Sequence, residues 1–290
     1  MTDHELRPGR VGDTDHGVHD ADRLVARLDA LVEVHGSVGS TNDRLRGLAE
    51  AGAPAGTMLV AEELTAGRGR NGSAWSAPPG GAWTSTLVRP EFGTDHVGRL
   101  TFAGGVAACE TVRSFDVDAR LKWPNDVLVD GSKLSGVLTE TVVDGVPVAG
   151  KPIDEVFPEG AGELAYAILG VGINADLAPE DLDTERDVTT LRAETGGPVD
   201  PTEVVARLHE RLTTRAAQVE TDAGFAAVLA DWRAYDTTLG SRVRVERRSE
   251  GPVVGRAVDV TDTGALSVRP DGTDETVTVT EGECRRLREA

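Results

Sequence analysis

Apolar positions in this chain change their period several times, and each change marks an element. From Asp20, Leu24, Leu28 and Leu31 recur at helical spacing before Val32 and Val34 alternate into Gly36-Ser37, so a short helix leads into a strand. Asn42 to Ala51 returns to the helical period, with Leu45, Leu48 and Ala49 on one face and Gly52 as its stop. Thr57 to Glu62 and Trp83 to Val88 read as buried strands, and Leu100 to Phe115 has the length and spacing of a buried helix. Val127 to Val129 and Gly136 to Val143 are strands around a turn at Asp130-Gly131, and Leu164 to Ile173 is a near-continuous apolar strand. Asp200-Pro201-Thr202-Glu203 has the parts of a helix start, with Asp200 as cap and Glu203 placed to reach back; Val204, Val205, Leu208 and Leu212 form its buried face. A second helix runs through Phe225 to Trp232.

Beyond Thr238 the pattern shortens to alternating pairs, Val243/Val245, Val258/Val260, Leu266/Val268 and Val277/Val279, separated by turns at Asp262-Thr263-Gly264 and Asp271-Gly272. This predicts a small β-barrel with a boundary near 237. Two stretches carry no period. Residues 1–19 are rich in Gly, Asp and His and read as a loose tail, with His4, His16 and His19 solvated for want of any metal-ligand spacing. Residues 145–163, with Pro147, Pro152 and Pro158, read as a long loop or a two-stranded excursion.

The chain has 290 residues, 39% of them hydrophobic, enough to bury a core in one large domain plus a small one. Lys+Arg 30 against Asp+Glu 49 gives 30 − 49 = −19, which excludes a broadly basic nucleic-acid coat. No apolar stretch approaches the roughly 20 residues of a spanning helix, and Met1 opens onto Thr-Asp-His-Glu rather than a signal segment. A cytoplasmic protein without membrane contact is expected. Cys109 and Cys284 have no Cys-x-x-Cys partner, so neither a disulfide framework nor a zinc site is indicated. Lysine occurs only at 122, 133 and 151, every other cation being Arg. So acidic and lysine-poor a surface suits a halophilic protein kept hydrated in concentrated salt, as well as an ordinary acidic one.

Gly67 to Gly72 satisfies G-x-G-x-x-G, but the following Ser-Ala-Trp-Ser-Ala-Pro-Pro-Gly-Gly cannot open the helix that a dinucleotide site requires. What remains is a backbone-exposed loop whose Arg68 and Arg70 can fork onto phosphate or carboxylate, or lie solvated. In Lys122-Trp123-Pro124-Asn125-Asp126, followed by Lys133, Gly136 and Glu140, two of three lysines meet an amide and a carboxylate. Retaining Lys in an arginine-rich chain suggests a task for a compact charge, although a capped turn with snorkelling lysines has the same look. Gly39-Ser40-Thr41-Asn42 caps a helix and offers hydroxyls and an amide to a polar ligand. Gly170-Val171-Gly172-Ile173-Asn174 ends a buried strand on an amide, a common place for ligand contact.

In this order these four segments, with Trp75, resemble the biotin protein ligases over residues 30–290. The resemblance implies an α+β fold: a mixed β-sheet with flanking helices, of the class II synthetase-like biotin/lipoyl ligase kind, plus a C-terminal SH3-like β-barrel. It divides the chain into a flexible tail (1–19), a catalytic domain (20–236) and the SH3-like domain (237–290). It implies biotin and ATP joined as biotinyl-5′-AMP with Mg²⁺ and release of pyrophosphate. The biotinyl group then passes to a lysine of the biotin carboxyl carrier domain of an acetyl-CoA or propionyl-CoA carboxylase. By the same resemblance Ser40, Thr41, Asn42, Arg68, Gly69, Arg70 and Lys133 would bind biotin. Arg70, Trp75, Lys122, Asn125 and Asn174 would bind ATP and the adenylate, and Arg70, Lys133 and Asp126 would be catalytic. No dedicated metal ligand is implied, Mg²⁺ arriving with ATP, and a homodimer is compatible with the family.

There are departures. Leu64 stands where the family has a Gln, so an amide toward biotin is missing or supplied from elsewhere, at a cost of about 1 kcal/mol. Asn71 stands where a third Arg is frequent, and the 145–163 excursion is longer than the usual hairpin. The 36 residues before Ser37 carry eight acidic and four arginine side chains, 4 − 8 = −4, which disfavours a DNA-binding repressor segment. A lipoate ligase or octanoyl transferase, and a non-catalytic biotin-binding regulator, remain as alternative readings.

Overall fold

A computed structural model describes residues 17–149, 153–157, 159–160, 162–247, 251–280 and 282–287. Helix α1 (Ala21–Arg27) starts on Asp20, whose carboxylate accepts the Arg23 N–H at 2.9 Å. Strand β1 (Val32–Val38), helix α2 (Thr41–Glu50), and strands β2 (Met58–Leu64) and β3 (Ala82–Val88) precede the long helix α3 (Gly98–Arg113). Then come β4 (Arg120–Lys122), β5 (Asp126–Val129), β6 (Ser132–Val143), β7 (Val146–Val148), α4 (Ile153–Val156) and β8 (Leu164–Ile173). Helices α5 (Leu191–Thr195), α6 (Pro201–Gln218) and α7 (Asp222–Tyr235) close this part.

The strands form one mixed sheet in the order β1-β2-β3-β8-β6-β5-β4, with β7 added to β6; only β1 and β2 run parallel. β8 lies between β3 and β6 and is covered on both faces, which accounts for its unbroken apolar sequence. Alternate residues feed two cores. Met58, Val60, Leu169 and Val171 meet Leu100, Val106, Leu208 and Trp232 of the three long helices, whereas Leu59 and Ile168 meet Leu45 and Ala49 of α2. No described helix is long and apolar enough to cross a membrane.

The last five strands, β9 (Arg242–Glu246), β10 (Val253–Val260), β11 (Leu266–Pro270), β12 (Val277–Val279) and β13 (Glu283–Arg286), form an antiparallel sheet ordered β12-β11-β10-β9-β13. It has the SH3-like strand content expected, but the barrel is not closed. β12 and β13, three and four residues long, pair only with β11 and β9 and leave the ends of the path apart. Its interior, with Val243, Val245, Leu266 and Val268, is continuous with the core under α3 and α7. Trp123 ties the two sheets: its backbone N–H donates to Thr238 Oγ1 at 2.9 Å and its indole N–H to the Gly264 carbonyl at 3.1 Å.

Two further expectations need correction. His19 is buried, its Nε2–H donating to the Gly81 carbonyl at 3.2 Å, because the segment before α1 packs on the sheet; His4 and His16 lie outside the described residues. Glu203 does not reach back to cap α6: Asp200 alone accepts the Thr202 and Glu203 N–H groups, and Glu203 turns to Arg27 and Arg207 at 2.6 and 2.7 Å. β4, three residues long, carried no alternating signal and was not anticipated, whereas the 145–163 stretch begins as the two-stranded excursion expected, β7 pairing with β6, before the single-turn α4.

Burial pushes the His19 imidazole down to about 4, and burial also lowers His209, whose Nε2–H donates to the Gly56 carbonyl. The unfolded chain takes up these protons near pH 6.5, while folded His19 resists until about pH 4. Stability from this source is therefore complete above pH 6.5 and lost as pH falls toward 4. His19 alone accounts for about 3 kcal/mol at the acid end. Urea unfolding at pH 7, 6 and 5 of the wild type and His19→Gln should show their stabilities converging as pH falls.

Candidate active site

A cleft of about 220 Å³ opens where β3, β8, β6 and β5 end, beneath the glycine–arginine loop. Ser40, Thr41 and Asn42 of the α2 start form one wall, and Lys122, Asn125 and Asp126 the opposite one. Arg68, Gly69, Arg70 and Trp75 cover it, while Lys133, Gly136, Gly172 and Asn174 lie along its floor. Every residue singled out as a site residue from the sequence therefore lines one cavity.

The glycines of the floor have a steric reason. A Cβ at Gly170 would lie 2.6 Å from Asn42 Oδ1, and one at Gly172 2.8 Å from the Trp75 ring. One at Gly136 would come within 3.2 Å of the same ring and 3.1 Å of Lys133 Nζ. Trp75 thus lies flat on strands stripped of side chains, with its edge toward Trp83 at 6.2 Å between centroids. Leu64, in place of the family's Gln, joins this apolar group together with Leu177 and Leu182.

On the opposite side Asp126 Oδ1 sits 2.5 Å from Lys133 Nζ, and its Oδ2 3.6 Å from Lys122 Nζ. A bulge between β5 and β6 sets this pairing, placing Leu128 opposite Lys133 and bringing the lysine beside Asp126 on the same face. Burial opposes the charge on Asp126, but the two ammonium groups hold its carboxyl below the usual range. Burial likewise pushes the Lys133 ammonium down, with Asp126 pulling it back up. The Lys133 charge also rests 5.0 Å from the Trp75 ring centroid. Its backbone is fixed on both sides: Lys133 N–H donates to Asp187 O at 2.9 Å and Thr189 N–H to Lys133 O at 3.0 Å.

The two amides serve different ends. Asn125 Nδ2 donates to Val137 O at 2.8 Å and its Oδ1 accepts from Arg70 at 3.4 Å. Asn174 spends Nδ2 on Thr189 O at 2.9 Å, so it braces the chain around Lys133. Asn42 Oδ1 accepts from Ser85 Oγ at 2.5 Å, and its buried amide group also interacts with the Glu140 carboxylate, whose charge it favours.

Arg68 points away from the floor. It forks onto Asp43 of α2 at 2.7 and 2.8 Å, and Glu140, buried on β6, accepts from Arg46 at 2.8 Å. Burial raises the Glu140 carboxyl despite Arg46 and Arg68. Among the described residues no three His, Cys, Asp or Glu gather to hold a metal, and Asp126 already faces two ammonium groups. Mg²⁺ therefore fits this site only as an ion carried largely by phosphate oxygens and water.

The sequence reading missed Thr184, Arg186 and Val188 of the segment before α5, and Gly282 to Cys284 of the second sheet, all lining the cleft. None carried a periodic or motif signal. The lone guanidinium of Arg186 beside five acidic residues in Glu180 to Asp187 was the one available hint.

The cavity joins cations suited to a polyanion with a dry, amide-lined wall suited to a small neutral ring. Two family models match the chain: the Biotin/lipoate A/B protein ligase family over residues 35–151 and the Biotin protein ligase C terminal domain over residues 238–286. The chain is 34% identical to the biotin--[acetyl-CoA-carboxylase] ligase of Mycobacterium tuberculosis, over 89% of each chain. It is 30% identical to the bifunctional ligase/repressor BirA of Bacillus subtilis, over 80% of this chain and 67% of that one. The structure resembles the biotin protein ligase of Aquifex aeolicus solved in complex with biotin and ATP, with TM-score 0.71 and 26% identity over 90% of this chain and all of that one. The chain belongs to the biotin protein ligase family.

Gly170→Ala and Gly172→Ala should each cost about 1–3 kcal/mol, because Asn42 or Trp75 must leave its seat. Denaturant unfolding measures the cost, and Gly172→Ala should also red-shift tryptophan emission as the Trp75 ring moves toward water.

Proposed function

We propose that this cleft joins biotin to ATP as biotinyl-5′-AMP, releasing pyrophosphate, and then transfers the biotinyl group to one lysine of a carboxylase carrier domain. The observation that carries the reading is the buried Lys133–Asp126 pair, set beside an apolar floor and under a loop bearing Arg70. The activity is that of an ATP-dependent biotin protein ligase. Residues 20–236 supply the catalytic domain and 237–290 the SH3-like one. A cytoplasmic location accords with two buried, unpaired thiols, Cys109 and Cys284.

In the first step a biotin carboxylate oxygen attacks the α-phosphorus as pyrophosphate leaves, so two anions must approach. Lys133 neutralises part of that charge where the carboxylate and the α-phosphate meet. Asp126 favours the charged form of Lys133 against its burial and fixes the ammonium in position before the substrates arrive. Ser40, Thr41 and Asn42, which line one wall of the cleft, hold the biotin ring through their hydroxyls and amide. Arg70 holds the adenylate phosphate, and Trp75 and Asn174 shape the nucleotide side. Mg²⁺, carried by ATP, adds charge neutralisation at the phosphates. In the second step the neutral amine of the acceptor lysine attacks the acyl carbon, AMP leaves, and the amine proton departs. Lys122, Asn125 and Asp126 border that approach.

ATP-dependent transfer of labelled biotin to a carrier domain, at low and at multimolar KCl, with pyrophosphate followed in parallel, tests the reading. Lys133→Gln should lower biotin-dependent pyrophosphate release by about 10²–10³-fold. Asp126→Asn should shift the rate–pH profile, its activity falling as pH rises because Lys133 has lost the carboxylate that keeps it charged. Absence of both signals from folded wild-type protein would overturn the assignment.

A further inference from the structure

The sequence treats Arg68 and Arg70 alike, but the structure separates them. Residues 67–75 fold back on themselves through a bridge between Arg68 and Ala74, with Gly69 N–H donating to Ser73 O at 2.7 Å and Trp75 N–H to Gly67 O at 3.0 Å. From this small hairpin the two arginines leave in different directions. Arg70 reaches the 122–126 wall at Asn125, and Arg68 reaches α2.

The Arg68 end is built as a closed ring of alternating charge. Asp43 takes both Arg68 Nη atoms, Arg46 Nη1 lies 3.0 Å from Asp43, Arg46 Nη2 lies 2.8 Å from Glu140, and Glu140 Oε1 lies 3.8 Å from Arg68 Nη2. Ser40 Oγ, the α2 cap, accepts from Arg68 at 3.4 Å. The ring is graded from inside to outside: the Glu140 side chain is 3% exposed, Arg46 18%, and Arg68 37%. A buried anion fixed from one side by Arg46 thus offers its remaining oxygen toward a loop cation, and Asp43 completes a planar fork. A solvated loop arginine needs none of this. Elsewhere the loop is held by Trp75, packed over Gly136 and Gly172, and by Arg70 at Asn125.

We propose that Asp43 and Glu140 are positioning residues, which act through Arg68 to clasp the glycine–arginine loop over the cleft and so keep the acyl-adenylate from water until the acceptor arrives. This rests on the ligase reading above. Without the clasp, a water oxygen attacks the acyl carbon, the bond from that carbon to the phosphate oxygen breaks, AMP leaves with the electron pair, and the proton goes to solvent. Biotin and AMP result, and pyrophosphate release runs on with no acceptor present.

The test compares wild type, Asp43→Asn, Arg68→Gln and the double variant. It measures acceptor-free pyrophosphate release, single-turnover adenylate formation, and trypsin cleavage after Arg70. Asp43→Asn should raise acceptor-free release and cleavage by about fivefold, with adenylate formation within about twofold of wild type, and the double variant should be no leakier than either single. Glu140→Gln should act in the same direction; because it also strips Arg46 of a buried partner, its folding is checked by circular dichroism, and Asp43→Asn carries the decision if it fails to fold. Wild-type leakage and cleavage in Asp43→Asn would overturn the proposal. So would additive effects in the double variant, or a loss of adenylate formation as large as the gain in leakage. If the wild type forms no adenylate, the ligase reading itself fails, and the cleavage comparison still decides whether the clasp exists.

Discussion

Everything at this site depends on keeping a positive charge where little water reaches it. An ammonium in such a place tends to shed its proton, and Asp126, 2.5 Å from Lys133 Nζ, opposes that loss. That requirement fixes more than two side chains. The β5–β6 bulge brings the two onto one face, the bonds to Asp187 and Thr189 stop the lysine from shifting along its strand, and Asn174 braces the Thr189 carbonyl from behind. A carboxylate held at that place has two ammonium neighbours and is an anion at neutral pH, so it serves the cation rather than acting as an acid.

The sheet solves a second problem, that of making room. A strand buried on both faces usually fills its neighbours' space with branched side chains, and β8 does so through Leu164 to Leu169. At Gly170 and Gly172 it stops, and the space left goes to Asn42 and Trp75. One run of sequence is thereby core at one end and cavity floor at the other.

Much of this was legible beforehand, for physical reasons. Amphipathic helices such as α6, with Val204, Val205, Leu208 and Leu212 inward, declare themselves because burial repeats with the helical period. The four site segments could be read together because each carries residues costly to place without purpose: a lysine among arginines, glycines in a strand, an asparagine at a strand end. What stayed hidden lacks both properties. β4 is too short to alternate, His19 is buried by contacts more than sixty positions away, and Asp43 and Arg46 look like any surface charges until the fold closes their ring with Glu140. Whether Arg68 faces ligand or protein was likewise beyond any one-dimensional reading, since its neighbours come from α2 and β6.

The two hydrogen bonds that leave Trp123 for Thr238 and Gly264 have a consequence for the chain as a whole. A residue within the 122–126 cleft wall has both its donors satisfied at Thr238 and Gly264, and the apolar interior runs on between the two sheets without a break. Loss of order in the small sheet would strand those donors in a dry interior, so the penalty falls on the large one. The topological border near 237 is therefore bridged by bonds and by a shared core, and order in one sheet is coupled to order in the other.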